Sequence, residues 1–420
     1  MFVTIPKIFG ILFPEYARYT GKPMRLIMSM YGTTLCGKYW YLDLLDFLKE
    51  IEFKEGNCVK CSFIREFSDG AKIYLLNYVD DMLYYGTDDE KVKAFEKQLA
   101  DRFSLELLGQ AHWYLGSRIR QLANYDIELD QSRYCKSIVR KYLETAGCAK
   151  NLRQHDTPLP SGFIPTADDC SAKEEDAKEL EVQYNINFAS CVGSLIYLGM
   201  TRTDILYAVN KLAKYTRRPG RNHFEAILHL LRYLRDNTLY GVRFYSEIGE
   251  SPIYQMLLGQ NIQEKHLFFG FTDSSWNDDV DTGRSTGCFI ITYMGGIVDH
   301  SSNMPDPVAL SSAEAEYNEG CVAFMAASHL RMLLCEMENI SEENMAATTI
   351  YFDSKSAIAM GANYKDTKHT RHIMRRYHYV RENIAAKRFT TQWIGTEFQI
   401  SDIGTKLNDG PRHKTLMEIS

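Results

Sequence analysis

The sequence predicts a mixed α/β and α+β protein of more than one domain, on three observations. In the C-terminal third, short β-prone runs alternate with helical stretches, a pattern that layers helices on a sheet. Near residue 80 two β-prone runs flank a pair of acids and lead into an amphipathic helix. Breaks in composition then separate the chain into blocks. With 420 residues, 45% hydrophobic and 24% charged, there is ample apolar material for several cores, and collagen-like, low-complexity and disordered classes are excluded.

No uncharged apolar run approaches the roughly 18 residues of a membrane span. The apolar run at residues 8–13 stops at Pro14 and Glu15, too short for a signal core. The chain is therefore expected to be soluble, unexported and free of membrane, acting inside the cell in cytoplasm or nucleus. Ten cysteines at irregular spacing point to reduced thiols. Cys58-Val59-Lys60-Cys61 has metal-pair spacing, but zinc needs four ligands and no second pair accompanies it.

Net charge is −6, which gives no general pull toward nucleic acid; its distribution is more informative. Residues 210–243 hold Lys211, Lys214, Arg217, Arg218, Arg221, Arg232, Arg235 and Arg243 against Glu225 and Asp236. Residues 365–388 hold Lys365, Lys368, Arg371, Arg375, Arg376, Arg381, Lys387 and Arg388 against Asp366 and Glu382. Such stretches can hold a polyanion along a limited track, or can simply be solvated helix faces.

Taken in order, residues 73–78 and 82–85 are expected strands with Val79-Asp80-Asp81 between them, and Val92, Phe95, Leu99 and Phe103 mark one face of the following helix. The acid-rich, proline-bounded residues 156–183 read as a linker. Phe224, Ile227, Leu228, Leu231 and Leu234 predict a helix buried on one side and basic on another. A second break is expected at residues 246–263. Beyond it, residues 267–272, 288–293, 308–310, 349–352 and 389–394 are expected strands. A helix opens at Ser311-Ser312, a basic helix covers residues 372–387, and a short helix begins near Asp402.

Acids recur at these strand ends. Asp273 and Asp353 each follow an apolar strand, Glu314 and Glu316 lie in the first turns of the intervening helix, and Asp402 opens the last helix. Gathered together, they would repel unless divalent cations neutralised them, and carboxylate oxygens are the hard ligands magnesium prefers. Strand-terminal aspartate is also a common turn former, so unrelated surface acids are the alternative. Ser311-Ser312-Ala313-Glu314 fits a capping box, which occupies Glu314 locally and leaves Glu316 for the sheet edge. Asp80 and Asp81 form a second candidate metal pair.

Tyr78-Val79-Asp80-Asp81-Met82-Leu83 resembles the catalytic hairpin of reverse transcriptases in the form found in copia-type LTR retrotransposons. Ser29-Met30-Tyr31-Gly32 with Trp40-Tyr41, and His112-Trp113-Tyr114-Leu115-Gly116, are similar to segments flanking that hairpin. Val192-Gly193-Ser194-Leu195-Ile196-Tyr197-Leu198, Thr201-Arg202-Thr203-Asp204 and Tyr207-Ala208-Val209-Asn210 resemble the connecting region. Leu310-Ser311-Ser312-Ala313-Glu314-Ala315-Glu316-Tyr317, Asp353-Ser354-Lys355-Ser356-Ala357 and Ser401-Asp402-Ile403-Gly404-Thr405-Lys406 resemble the ribonuclease H domain.

The resemblance implies a partial reverse-transcriptase palm and thumb followed by a ribonuclease H-like mixed five-stranded sheet with flanking helices. Its parts are residues 1–155 (partial polymerase), 156–183 (acidic linker), 184–263 (helical connection) and 264–410 (nuclease). It implies catalytic and metal roles for Asp80 and Asp81 in the polymerase and for Asp273, Glu316, Asp353 and Asp402 in the nuclease. Each active site would use two Mg2+ ions, with Mn2+ as the alternative. Implied partners are RNA–DNA hybrid, RNA template with DNA primer, and other products of a retrotransposon polyprotein. Lys368, Arg371, Arg375, Arg376, Arg232 and Arg235 are the candidates for nucleic-acid contact, and His372 and His378 lie in the basic segment before the last carboxylate. Three departures stand out. The first aspartate of the chain is Asp43, so the family's upstream strand aspartate has no counterpart and the polymerase is expected to be inactive alone. Leu35 stands where a template-gripping Gln is usual, and Asp299-His300 with Asn303-Met304-Pro305 replaces an aromatic, basic stretch. A reverse transcriptase completed by upstream sequence, or a non-catalytic nucleic-acid-binding remnant, are the alternatives.

Overall fold

The computed structural model describes residues 2–25, 35–144, 154–262, 264, 267–305, 308–362 and 374–419. The chain divides into two compact units, Met1–Gly109 and Gln110–Ser420. In the first, β1 (Phe2–Thr4) pairs antiparallel with β2 (Pro23–Arg25) around α1 (Lys7–Leu12). Then follow α2 (Cys36–Glu50), β3 (Lys54–Glu55), β4 (Ser62–Glu66), β5 (Lys72–Tyr78), β6 (Asp81–Gly86) and α3 (Asp89–Arg102). The strands make one antiparallel sheet in chain order.

Alternation along β5 turns Ile73 and Leu75 inward, where they meet Leu44 and Leu48 of α2 and Phe95 and Leu99 of α3. Asp88 caps α3, its carboxylate accepting the amides of Glu90 and Lys91 at 3.0 Å. The expected hairpin and helix are both present. Ser29-Met30-Tyr31-Gly32 lies outside the described residues.

The second unit opens with β7 (Trp113–Tyr114), β8 (Ser117–Gln121), β9 (Ile127–Asp130) and α4 (Ser132–Val139). Helices α5 (Glu174–Tyr184), α6 (Phe188–Leu198), α7 (Leu206–Ala213) and α8 (Arg221–Asp236), then β10 (Val242–Phe244) and α9 (Pro252–Gly259), complete the connecting part. Here the structure differs from the sequence-based boundaries. β9 pairs with β10, and α4 buries Cys135, Ile138 and Val139 in one core with Leu195, Leu212, Ile227 and Leu231. Residues 110–144 thus belong with the helical block, and the boundary expected near 155 falls at Gly109.

The acidic residues 156–183 are not an unpacked linker. Leu159 is buried, and residues 174–184 are helical because Ala177 and Tyr184 share an inward face. Tyr184 stacks on Phe224 at 4.9 Å between ring centroids. Glu174, Glu175 and Asp176 occupy the first turn, where the helix dipole favours negative charge. The break expected at 246–263 likewise holds α9, with Pro252 at its first position and Ile253 and Leu257 buried one turn apart.

The C-terminal part contains β11 (Phe268–Ser275), β12 (Thr286–Tyr293), β13 (Gly296–Asn303), α10 (Ser312–Glu338), β14 (Thr348–Phe352), α11 (Lys355–Ala362), α12 (Met374–Ala385), β15 (Phe389–Trp393), α13 (Asp402–Thr405) and α14 (Gly410–Ile419). The strands form one sheet in the order β13-β12-β11-β14-β15. β11 is antiparallel to β12 and parallel to β14, which is parallel to β15. This is the ribonuclease H-like sheet with flanking helices. Phe268, Ile350 and Phe352 face the α10 side with Phe324. Phe269, Phe271 and Tyr351 face α9, α13 and α14. α10 is long and apolar enough to cross a membrane by length and composition, yet it packs on this sheet and buries Glu314, Glu316, Glu319 and Arg331.

One strand was misplaced by the sequence reading. Residues 308–310 form no strand, and Val308 and Leu310 are exposed. The third strand is β13, which carries Asp299-His300-Ser301-Ser302 and so offers no apolar run. It is reached by a tight turn with Met294 at φ +51° and Gly295 at φ +74°.

Arg202 and Asp204, from the motif following α6, are both buried and pair at 2.6 Å. Arg202 also donates to the Asn237 carbonyl at 2.7 Å. Tyr233 of α8 donates to Asp204 at 2.7 Å and lies 3.1 Å from His413 Nε2 of α14. Breaking such a pair leaves an uncompensated buried charge. Asp204→Ala is expected to lower unfolding stability by about 3–5 kcal/mol in urea titrations, whereas Arg217→Ala, which cuts the exposed Arg217–Glu174 pair, is expected to cost under about 1 kcal/mol.

Asp126 tests pH linkage. Burial pushes its carboxyl up, but the Ser246 amide and Arg243 outweigh this and hold it at about 2. Its stabilisation is therefore full above the ordinary aspartate value near 4 and lost as pH falls toward 2. Asp126→Asn is expected to be less stable than the parent at pH 6, with the gap closing on acidification.

Candidate metal and nucleic-acid site

Parallel pairing of β11 with β14 brings their C-terminal ends to one edge of the sheet, with Thr272 opposite Phe352. Asp273 is the next residue of β11, and Asp353 follows β14 directly. α10 starts at that edge. Ser311 caps it, accepting the Glu314 amide at 3.2 Å, while the Glu314 carboxylate takes the Leu310 amide at 3.1 Å. Glu314 thus has the local structural job expected of it, although it reaches Leu310 rather than the amide of the cap itself.

Glu316, half a turn on, points to the sheet edge. Carboxylate oxygens of Asp273, Glu316 and Asp353 all lie within 4.8 Å of one another, and among the described residues this is the one group of three or more acid, His or Cys side chains so gathered. Thr405 Oγ1 donates to Asp273, and Thr396 Oγ1 donates to Asp353 at 3.0 Å. Glu316 Oε2 is buried with no hydrogen-bond partner among the described residues. Burial first, then the charges of Asp273 and Asp353, push the Glu316 carboxyl far above the usual carboxylate range. Burial and Asp273 raise Asp353 against the pull of Thr396 and Lys406.

Asp402 is buried beside this group but otherwise engaged. Its Oδ1 is 2.7 Å from Lys406 Nζ and its Oδ2 is 3.2 Å from Arg412 Nη2. Lys406 Nζ is also 3.3 Å from Asp273 Oδ2. Burial and Asp273 raise the Asp402 carboxyl despite Lys406. Of the four acids expected to gather, three share the metal-sized group and the fourth is held by two cations.

The sequence reading missed Glu319, three residues and nearly one turn beyond Glu316 on the same face of α10. It is fully buried, and neither oxygen has a hydrogen-bond partner among the described residues. Burial pushes it up to about 8, with Arg376 opposing and Asp273 adding. Gly287 leaves the room it needs, since a Cβ there would sit 2.1 Å from Glu319 Oε2. The available signal was the i, i+3 spacing from Glu316.

Asp80 and Asp81 stand exposed at the tip of the first unit's hairpin. Val79 adopts φ +54° in the turn, and its carbonyl accepts Trp40 Nε1 at 2.8 Å. Among the candidate phosphate contacts, Arg376 is half-buried and His378 exposed on α12. Arg375 belongs to α12 by its backbone, and Lys368, Arg371 and His372 lie outside the described residues. On α8, Arg232 and Arg235 are half-buried, and Arg235 makes two bonds to Asp236 at 2.8 and 2.9 Å. Much of the basic stretch at 210–243 is neutralised internally: Lys211 pairs with Asp278 at 2.6 Å, Lys214 with Asp279, and Arg243 with Asp126.

A hairpin with paired aspartates, and a ribonuclease H-like sheet with carboxylates at one edge, define the polymerase–nuclease class of retroelement proteins. Residues 13–153 match the family described as reverse transcriptase (RNA-dependent DNA polymerase), and the chain belongs to the copia-type retrotransposon polyprotein family. It is 29% identical over 406 residues to the retrovirus-related Pol polyprotein from transposon TNT 1-94 of Nicotiana tabacum, covering 96% of this chain and 28% of that one. It is 26% identical to the Pol polyprotein from transposon RE2 of Arabidopsis thaliana, over 91% and 24% respectively. An uncharacterized mitochondrial protein of Arabidopsis thaliana is 31% identical, over 58% of this chain and 89% of its own. The chain spans about a quarter of the length of the Pol polyproteins it matches.

The raised Asp353 makes a prediction for the metal-free protein. A carboxyl held above its unfolded value favours the proton, so ionising it costs stability as pH rises beyond about 4. Asp353→Asn is expected to match the parent in urea midpoint at pH 4 and to exceed it at pH 8.

Proposed function

We propose that residues 264–410 hydrolyse the RNA strand of RNA–DNA hybrids, using a divalent cation held by Asp273, Glu316 and Asp353. The observation carrying this reading is the close group of three carboxylates containing the buried, unpartnered Glu316 Oε2. An all-oxygen, negatively charged donor set suits Mg2+ or Mn2+ and not softer ions. Bound there, such a cation supplies Lewis-acid activation of water and stabilises charge on the departing 3′ oxygen.

The chain's own residues do the positioning. Thr405 and Thr396 fix the Asp273 and Asp353 carboxylates, and the Ser311 cap fixes the first turns of α10 that present Glu316. α12, with Arg375, Arg376 and His378, supplies contacts to phosphate. Hybrid recognition through phosphates and 2′-hydroxyls makes cleavage largely independent of sequence. The reading places the chemistry here rather than at Asp80 and Asp81, which gather no third metal-capable side chain among the described residues. The N-terminal unit would then serve to bind template and primer, alongside other products of the polyprotein.

The test is cleavage of a labelled RNA–DNA hybrid. Cutting is expected with Mg2+, none with chelator, and none for Asp353→Asn, which retains the parent's circular dichroism. Parent-level cutting by Asp353→Asn would sink the assignment.

A further inference from the structure

We propose that the Lys406 ammonium is a built-in cation of this carboxylate site, standing where a second divalent ion would bind, so that the chain takes one divalent ion rather than two. The inference rests on the nuclease reading above and goes beyond it by fixing the ion count and the residue that sets it.

Lys406 Nζ lies between Asp402 Oδ1 at 2.7 Å and Asp273 Oδ2 at 3.3 Å. It thus bridges two carboxylates, as a shared metal would. The second oxygen of Asp402 is taken by Arg412 at 3.2 Å, so Asp402 keeps no oxygen free for another ion. Arg412 is itself anchored, its guanidinium donating to the carbonyls of Thr396 at 3.0 Å and Gln399 at 3.3 Å. The backbone holds Lys406 in place as well. Its amide donates to the Asp402 carbonyl at 3.2 Å, and Asn408 Nδ2 bonds the carbonyls of Asp402 and Lys406 at 3.0 and 3.2 Å. A lysine suits the role because its ammonium is a compact point charge on a long stem.

The charges agree with the geometry. Asp273, Glu316, Asp353 and Asp402, when ionised, carry four negative charges. Lys406 and Arg412 return two, and one divalent cation at the three-carboxylate group returns the other two. A second divalent ion would leave net positive charge at a largely buried site, which is unfavourable.

The experiment is Mn2+ titration of the full chain by calorimetry, with electron paramagnetic resonance to detect a spin-coupled ion pair. The parent is expected to bind one ion with no pair signal. Lys406→Met and Lys406→Gln, each confirmed folded by its melting transition, are expected to bind two and to show the pair. Two ions in the parent, or one ion still in both variants, overturns the proposal while leaving the nuclease reading intact. Asp353→Asn is the control: no ion in the parent, or unchanged binding in that variant, overturns the metal reading and this proposal with it.

Discussion

Parallel pairing of β11 with β14 is the constraint on which the C-terminal unit turns. Parallel neighbours cannot be joined by a tight turn, so the chain must leave the sheet and return by a crossover. Here β12 and β13 extend the sheet on one side before α10 makes the return. The same pairing sends both strands out at one edge, and α10 begins there because its cap residues come straight after the irregular segment beyond β13. Three carboxylates then meet without any loop having to place them. Their mutual repulsion in a poorly solvated place sets the remaining requirements: hydroxyls from Thr396 and Thr405, and the cationic pair Lys406 and Arg412.

Much of this was legible in the sequence where apolar residues repeat at a clear period. The hairpin around Asp80, α3, α8, β11, β12, β14 and β15 fall where alternation or helical spacing puts them, and the likeness to copia-type polyproteins pointed to Asp273, Glu316 and Asp353. What was not legible had physical reasons. β13 is polar along its centre, so no hydrophobic run announces it. The acids of residues 174–176 look like a repelling linker, yet they are stabilised by the amino end of a helix that Tyr184 pins to Phe224. The engagement of Asp402 by Arg412 depends on α14, which lies beyond the last motif. Glu319 is a buried acid without a partner, and no local pattern marks it as buried.

The Thr201-Arg202-Thr203-Asp204 segment shows why a motif need not mark chemistry. Its charged residues form a buried pair, satisfied by Tyr233 and the Asn237 carbonyl, and joined through His413 to the final helix. Its role here is to fix the helical block and the last helix in a single arrangement. The basic residues around it have a similar lesson. Several are matched by aspartates at 278 and 279 or by Asp126, so the charge visible in the linear sequence overstates what the folded surface can offer to phosphate.

The polarity of β13 has a further consequence, for behaviour at high concentration. It is a border strand, and a border strand with open amides invites another molecule to add to it. Asp299 and His300, both half-buried at its centre, make that addition costly, because an incoming strand would have to cover a carboxylate without supplying a counter-charge. The sheet is thereby guarded against self-templated stacking by two residues that contribute nothing to its hydrophobic core.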